Sequence, residues 1–169
     1  MTFSYALLAD PSTEREPENL IPSRPRDRPA DVLTAAASGC VAALDLGVAS
    51  PAAAAAGDDA AEAMWQRKIA ERESVQEELQ QAGIRYRPMV FTTFGRPHPA
   101  ASAIIDHIVK KAARRKGWAV RSLGRQFWCN IGVVLARRSA RMSLATWKSD
   151  LSGNACSFAD LFDDDIAME

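Results

Sequence analysis

Residues 31–50 have the sequence DVLTAAASGCVAALDLGVAS, and the rest of the predicted fold follows from this stretch. Two apolar runs, at residues 32–33 and 40–48, are separated by small residues and Gly39, a pattern that predicts two neighbouring β-strands. Asp31 precedes the first run and Asp45 lies within the second. A carboxylate inside a buried strand is costly unless it is paired, hydrogen-bonded or bound to metal. The stretch therefore predicts a two-carboxylate metal site or, alternatively, a turn-capping Asp31 and a solvated Asp45 on an edge strand.

The composition is that of a globular protein. The chain has 169 residues, of which 47% are hydrophobic and 25% charged, enough for one domain with its own core. No apolar run approaches the length of a membrane span, so no membrane partner is expected. Three widely spaced cysteines without a CxxC pair favour a reducing, intracellular compartment. With only two histidines, a zinc site is not expected.

The patterns along the chain predict the order strand, strand, helix, strand, helix, helix. The helices are expected at residues 59–82, 99–116 and 119–147, and the third strand at residues 84–91. The first helix is expected to be capped by Asp58 or Asp59, and glycines end the first two helices at Gly83 and Gly117. Because a helix joins the second and third strands, these strands are expected to be parallel, with a right-handed crossover.

These elements predict an α/β protein with a small mixed sheet flanked by helices and a helical C-terminal extension. Residues 1–28, rich in proline and charge, are expected to form a flexible leader. The domain itself is expected to span residues 29–148, with an alanine-rich loop at 52–57. Residues 149–169 are expected to form an acidic tail.

Lys68 interrupts the apolar stripe of the first predicted helix, next to Trp65. One interpretation is that the lysine stem runs along the apolar surface and carries the ammonium group to solvent. The other is that Lys68 is a cation aimed at Asp31 and Asp45. Glu62 and Gln66 lie on the same helix and are candidates to support such a site. His98 is expected to be a loop residue.

The second half of the chain is strongly basic. Residues 85–148 contain fourteen Lys and Arg but a single acid, Asp106, although the net charge of the whole chain is zero. Such a separation predicts a polyanionic partner, most simply DNA, with RNA as an alternative, while solvated basic helix faces without a partner are the other interpretation. The predicted nucleic-acid-binding residues share this region and are Arg85, Arg87, Arg96, Lys110, Lys111, Arg114, Arg115 and Lys116.

Several of these segments resemble the restriction-like endonuclease domain of non-LTR retrotransposons, a divergent branch of the PD-(D/E)XK nuclease superfamily. RPADV at residues 28–32, with thirteen residues between Asp31 and Asp45, resembles the Pro-Asp…Asp spacing of that family. DLGVASP at residues 45–51 resembles its D-V-T-V-x-S-P strand, and Lys68 falls at the first lysine of its Lys-x-x-Lys-Tyr helix. PMVFTTFG at residues 88–95 resembles its P-x-V-x-x-x-x-G segment. The resemblance covers roughly residues 24–147.

The resemblance implies a restriction-endonuclease-like core that hydrolyses phosphodiester bonds and, in whole elements, nicks target DNA to prime reverse transcription. It implies Asp31, Asp45 and Lys68 as catalytic residues, with the two carboxylates and the carbonyl of Leu46 as ligands of Mg²⁺ or Mn²⁺.

The chain departs from the family pattern at four positions. Ala30 separates Pro29 from Asp31, Gly47 stands in place of the superfamily lysine, and Glu71 and Arg72 stand in place of the second Lys and the Tyr. A non-catalytic nucleic-acid-binding module of the same fold is therefore the alternative. A protein-interaction domain that uses Trp118, Trp128 and Trp147 is a third hypothesis.

Overall fold

The computed structural model describes residues 1–37, 39–51 and 59–151. The elements are, in chain order, α1 (Thr2–Ala9), β1 (Glu14–Arg15), β2 (Val32–Thr34), β3 (Val41–Ala49), α2 (Ala60–Gln81), β4 (Ile84–Thr92), α3 (Pro99–Lys116) and α4 (Val120–Leu151). The predicted α/β class, a small mixed sheet flanked by helices, is confirmed.

The four strands form one sheet in the order β1-β2-β3-β4. β1 and β2 pair antiparallel, as do β2 and β3. β3 and β4 pair in parallel from Val41↔Ile84 to Ala49↔Thr92, which confirms the predicted parallel pairing across the crossover helix. The sheet thereby places Asp45 in the middle of β3, opposite Pro88 of β4.

Pro88 lies in an edge strand, where its missing N–H costs no ladder bond. Beyond it, the N–H of Thr92 donates to the carbonyl of Arg96, and the carbonyl of Val90 accepts from the N–H of His98. Val90 and Thr92 therefore turn their backbone groups away from β3. Pro88 has the same parity along the strand, so its nitrogen also faces the outer edge.

The two faces of the sheet bury different helices, because successive strand residues point to opposite faces. On one face, Ala43 and Tyr86 pack with Val75 and Leu79 of α2. On the other face the buried residues come from α1, β2, β3, β4, α3 and α4, and include Leu44, Phe91, Ile105, Ile108 and Phe127. Asp45 has the parity of Ala43, so its side chain lies on the α2 face.

Three predicted helix boundaries are confirmed. The carboxylate of Asp59 caps α2 by accepting from the N–H groups of Ala61 and Glu62, at 2.9 and 3.2 Å. Gly83, with φ +73°, follows the C-cap of α2, and Gly117 ends α3 in the left-handed region at φ +69°. Only glycine adopts such angles without strain, which is why these residues end the helices.

The expectation of a flexible leader at residues 1–28 is wrong. Tyr5, Ala6 and Ala9 of α1 are buried in the larger core, and Ile21 is fully buried in the cluster beneath α2. The carboxylate of Asp10 accepts hydrogen bonds from Thr34 Oγ1 at 3.1 Å and from the N–H of Ala35 at 2.7 Å. This segment is therefore packed against β2 and α2, which its proline and charge content did not predict.

The compact units of the chain also have boundaries that differ from those predicted at residues 29 and 148. Met1–Ala136 forms one compact unit, which contains the whole sheet and α1 to α3. Arg137–Glu169 forms a second unit, whose described part is the helical stretch 137–151. The predicted loop at 52–57 and the acidic tail beyond residue 151 lie outside the described residues. Within the described residues, no helix has the length and apolarity needed to cross a membrane.

Candidate active site

Asp45, Lys68 and Tyr86 meet on the α2 face of the sheet. Lys68 Nζ lies 2.7 Å from Oδ1 of Asp45, and the Tyr86 hydroxyl lies 2.5 Å from Oδ2. The Asp45 and Lys68 side chains are 16% and 15% exposed, so the pair is mostly withdrawn from solvent. Of the two interpretations of Lys68, the structure therefore supports a cation directed at Asp45 rather than a lysine extended into solvent.

Gly47 makes room for this ion pair. A Cβ at position 47 would lie 2.6 Å from Cε of Lys68 and 3.0 Å from Sδ of Met64. Gly47 has the same strand parity as Asp45, so the lysine stem from α2 crosses the sheet over this residue. A larger residue at position 47 would thus compete with Lys68 for the same space.

Tyr86 is the residue of this cluster that sequence reasoning missed. Burial, followed by the hydrogen bond and the negative charge of Asp45, raises the pKa of Tyr86 and outweighs the opposing charge of Arg72. The phenol is therefore neutral and donates to the carboxylate. The alternation of Ile84 and Tyr86 with Arg85 and Arg87 did signal that Tyr86 faces inward, but not which residue it would meet.

Asp31 is fixed next to this cluster through the backbone of β3. Its Oδ2 accepts the N–H of Leu46 at 2.7 Å, and its own N–H donates to the carbonyl of Leu44. The N–H and C=O of one strand residue point to the same side, so the Leu46 carbonyl faces the strand edge on which Asp31 lies. Asp31 itself is exposed. The structure thus brings the Asp31 carboxylate to Leu46, the residue that follows Asp45.

The potential ligands near Asp45 are oxygen atoms, the type of ligand that hard divalent cations such as Mg²⁺ prefer. Mg²⁺ is commonly held by one or two carboxylates, with the remaining positions filled by water and substrate phosphate. Asp31, Asp45 and the Leu46 carbonyl are such donors. No group of three or more His, Cys, Asp or Glu side chains in the described part of the chain is arranged to hold a metal, so any ion here would depend on the backbone carbonyl and the substrate.

A second polar cluster lies at the N-terminal part of α2. His98 is buried, caps α3 by accepting the N–H of Ala100 at Nδ1, and stacks on Trp65 with ring centroids 4.9 Å apart. Its Nε2 lies 2.8 Å from Glu62 and therefore carries the proton in the neutral ring. The hydrogen bond from Gln66, and then that shared with His98, lower the pKa of Glu62. His98 does lie in a connecting segment, as predicted, but it is a structural contact that the sequence pattern did not reveal.

Two positions that the resemblance assigns to the family's Lys and Tyr have other partners. Glu71 is exposed and lies 3.5 Å from Arg67 one turn earlier on the helix. Arg72 lies 3.0 Å from Asp27. Neither residue forms a hydrogen bond or an ion pair with Asp45, whereas Tyr86 of β4 places its hydroxyl 2.5 Å from that carboxylate.

The predicted nucleic-acid-binding residues fall into two groups. Arg96 pairs with Asp59, whose pKa is lowered to about 2 by the hydrogen bond from Arg96 and by its helix-capping bonds, against a small opposing effect of burial. Lys111 donates to the carbonyl of Ala35, and Arg115 to the carbonyls of Leu7 and Leu8. The remaining residues have no hydrogen bond or ion pair to any described residue and are Arg85, Arg87, Lys110, Arg114 and Lys116.

The chain matches no family model, no curated protein and no solved structure. The features that bear on the function of this protein are therefore the geometry of the Lys68–Asp45–Tyr86 cluster and the distribution of charge.

Proposed function

We propose that the protein is a divalent-metal-dependent endonuclease-like domain that hydrolyses phosphodiester bonds in DNA, related to target-site nicking by retrotransposons. The observation that carries the proposal is the ion pair between Lys68 and Asp45, largely withdrawn from solvent and adjacent to Asp31. Two neighbouring carboxylates with an ammonium group directed at one of them can hold a metal ion and stabilise the charge that develops on a phosphate in hydrolysis.

Each residue has a distinct role in this proposal. Asp31, Asp45 and the Leu46 carbonyl would hold Mg²⁺ or Mn²⁺, which, when bound, polarises the phosphate and activates water. The ammonium group of Lys68 would orient the attacking water or stabilise negative charge on the phosphate oxygens. Tyr86 would hold the Asp45 carboxylate in one orientation through its 2.5 Å hydrogen bond.

The basic residues without partners would bind the DNA backbone. Lys110, Arg114 and Lys116 are exposed on the last turns of α3, and Arg85 and Arg87 lie at the beginning of β4. Phosphate contacts of this kind position a duplex without reading its sequence. The DNA affinity is accordingly expected to fall steeply with salt.

The alternative function is a nucleic-acid-binding module without catalysis. It is favoured by one specific observation, namely that both oxygens of Asp45 already accept hydrogen bonds, from Lys68 and from Tyr86. A carboxylate held in this way is satisfied without a metal ion. In this case the fold and the basic surface would persist while the nuclease chemistry is absent.

The test is nicking of supercoiled plasmid in Mg²⁺ or Mn²⁺ by wild type and by Asp31→Asn. Asp31 is exposed, so this variant is expected to fold, whereas replacement of Asp45 would leave Lys68 without its partner. The matched control is Asp106→Asn, an exposed carboxylate on α3 outside the cluster. Loss of nicking in Asp31→Asn alone supports the proposal. Equal nicking by Asp31→Asn and wild type contradicts the metal-ligand role, and DNA binding without nicking by the wild type leaves the alternative.

A further inference from the structure

A polar cleft of about 640 Å³ opens along the first half of β4. Its walls include Gln76 and Gln80 from α2, Arg85 and Arg87 from β4, and Cys40 at the entry to β3. The volume falls within the range of about 300–1,000 Å³ typical of sites for small ligands. None of the described residues that line the cleft carries a carboxylate, so this part of the lining has a net positive charge.

The two arginines of the cleft have no partner within the described protein. Neither guanidinium forms a hydrogen bond or an ion pair with a described residue, and Nε of Arg87 is buried without an acceptor. By contrast, Arg72 on the neighbouring helix is paired with Asp27 at 3.0 Å. Buried polar groups in folded proteins are nearly always satisfied, so a half-buried arginine that has no partner among the described residues is available to bind an anion.

The backbone of the same segment is also open. β4 is an edge strand, and the chain that returns after it bonds only to Val90 and Thr92. Tyr86, which lines the cleft, has the same parity, so its N–H and C=O face the outer edge of the sheet. The lining residues therefore combine amide and guanidinium side chains with a strand whose outer backbone groups are free of the returning chain.

We propose that this cleft binds a phosphate group of a nucleic-acid strand, with Arg85 and Arg87 as the phosphate-binding residues. Arginine presents a fork of N–H groups that matches two phosphate oxygens. Residues 85 and 87 project from the same face of β4 about 7 Å apart, since a strand rises about 3.3 Å per residue. The open edge admits an extended chain lengthwise, and Gln76 and Gln80 can hydrogen-bond to sugar or base. This inference rests on the proposed function, because the strand assigned to the cleft is part of the nucleic acid that the domain is proposed to bind.

Cys40 provides the readout, because it lines the cleft, whereas Cys129 is exposed on α4. The alkylation rates of both thiols by iodoacetamide are measured in the full chain by mass spectrometry, in EDTA. A hexathymidylate is expected to slow alkylation of Cys40 while leaving that of Cys129 unchanged. An uncharged methylphosphonate hexamer is expected to protect neither thiol, and equal protection by this analogue would overturn the proposal. Inorganic phosphate at the same phosphate concentration distinguishes a site for free phosphate ions from a site for a nucleic-acid strand. Equal protection of Cys40 by inorganic phosphate would overturn the assignment to a strand.

Two substitutions localise the effect. Arg87→Gln is expected to raise the hexathymidylate concentration needed for half-protection of Cys40 about tenfold, because a charge-assisted bidentate contact is lost. Arg125→Gln, the same change at an exposed arginine of α4, is expected to alter it less than about twofold. Equal losses in both variants would show diffuse attraction and overturn the site. The assay needs no cleavage, so protection without nicking refutes only the proposed catalysis, and nicking without protection refutes only the cleft.

Discussion

The side chain of Lys68 fills the space directly above Gly47. A Cβ on Gly47 would lie 2.6 Å from Cε of Lys68, a distance that non-bonded carbon atoms do not adopt. The absence of a side chain at position 47 is therefore the condition under which Lys68 reaches Asp45 at 2.7 Å. A side chain at position 47 would therefore require the end of the Lys68 side chain to shift, so the glycine leaves the space next to Asp45 to the lysine from the helix.

Replacement of Gly47 by alanine is expected to displace Lys68 from Asp45. The lysine end is flexible and can move, but the partly buried carboxylate then loses its cation, so we expect destabilisation of about 1–3 kcal/mol in urea denaturation. Gly132→Ala is the matched control, because Gly132 lies in helix α4 and a Cβ at this position would have no atom within 4 Å. That control is expected to be neutral or stabilising by up to about 1 kcal/mol. Equal stability of Gly47→Ala and wild type would contradict the steric argument.

Tyr86→Phe is expected to lower stability by about 1–3 kcal/mol, because Asp45 loses a buried hydrogen-bond donor. The raised pKa of Tyr86 has a consequence at high pH. The stabilisation of the folded protein by the neutral Tyr86 hydroxyl is fully present below the unfolded-state pKa of about 10. It is lost as the pH rises toward the folded-state pKa. The stability difference between wild type and Tyr86→Phe, measured by urea titration, should therefore be constant near neutral pH and shrink above about pH 10. A difference that grows with pH would contradict this assignment.

Asp10→Asn is expected to loosen the N-terminal segment from β2. The buried carboxylate of Asp10 accepts from Ser12, Thr34 and Ala35, so we expect a loss of about 1–3 kcal/mol. Burial tends to raise the pKa of Asp10, but the combined hydrogen bonds lower it below 3.8. The stabilisation is thus present above about pH 4 and disappears as the pH falls through the folded-state pKa. Asp106→Asn, at an exposed site, should show neither effect in acid denaturation.

His98→Asn and His98→Ala are expected to separate two roles of one ring. Asparagine retains an N-cap acceptor for the N–H of Ala100, whereas alanine does not, so His98→Ala should be less stable than His98→Asn by about 1 kcal/mol. Both variants lose the stacking on Trp65 and the hydrogen bond to Glu62. Loss of these contacts should make each variant less stable than wild type by about 0.5–1.5 kcal/mol, and His98→Ala loses the capping energy in addition. Thermal unfolding of the three proteins measures both differences. Equal stability of the two variants would exclude the capping role.

Lys110→Gln and Arg96→Gln are expected to differ in their effect on DNA binding. Lys110 is exposed and unpaired, so its removal should reduce the slope of log K against log salt by about 0.9, the contribution of one duplex phosphate contact. Arg96 is engaged with Asp59 through two nitrogens, at 3.1 and 2.5 Å, so its removal should change the slope less. Fluorescence anisotropy with a labelled duplex over a range of salt concentrations gives both slopes. A larger change for Arg96→Gln would reverse this assignment.

The sequence alone predicted the elements that are specified by local signals. Asp59, Gly83 and Gly117 mark helix ends because capping and left-handed backbone angles are properties of single residues. The parallel pairing of β3 and β4 followed from the helix between them. The sequence pattern did not specify α1 and β1, because they have only eight and two residues and are held by distant contacts, such as that between Asp10 and Ala35.

Only the tertiary structure decided how the candidate site is assembled. Lys68 meets Asp45 across 23 residues of chain, Tyr86 meets Asp45 across 41, and His98 meets Glu62 across 36. Periodicity shows which face of an element a side chain occupies, but not which side chain on another element it will meet. The pattern therefore left Lys68 with two interpretations, and the packing of α2 over Gly47 selected one of them, because the space above that residue leads to Asp45.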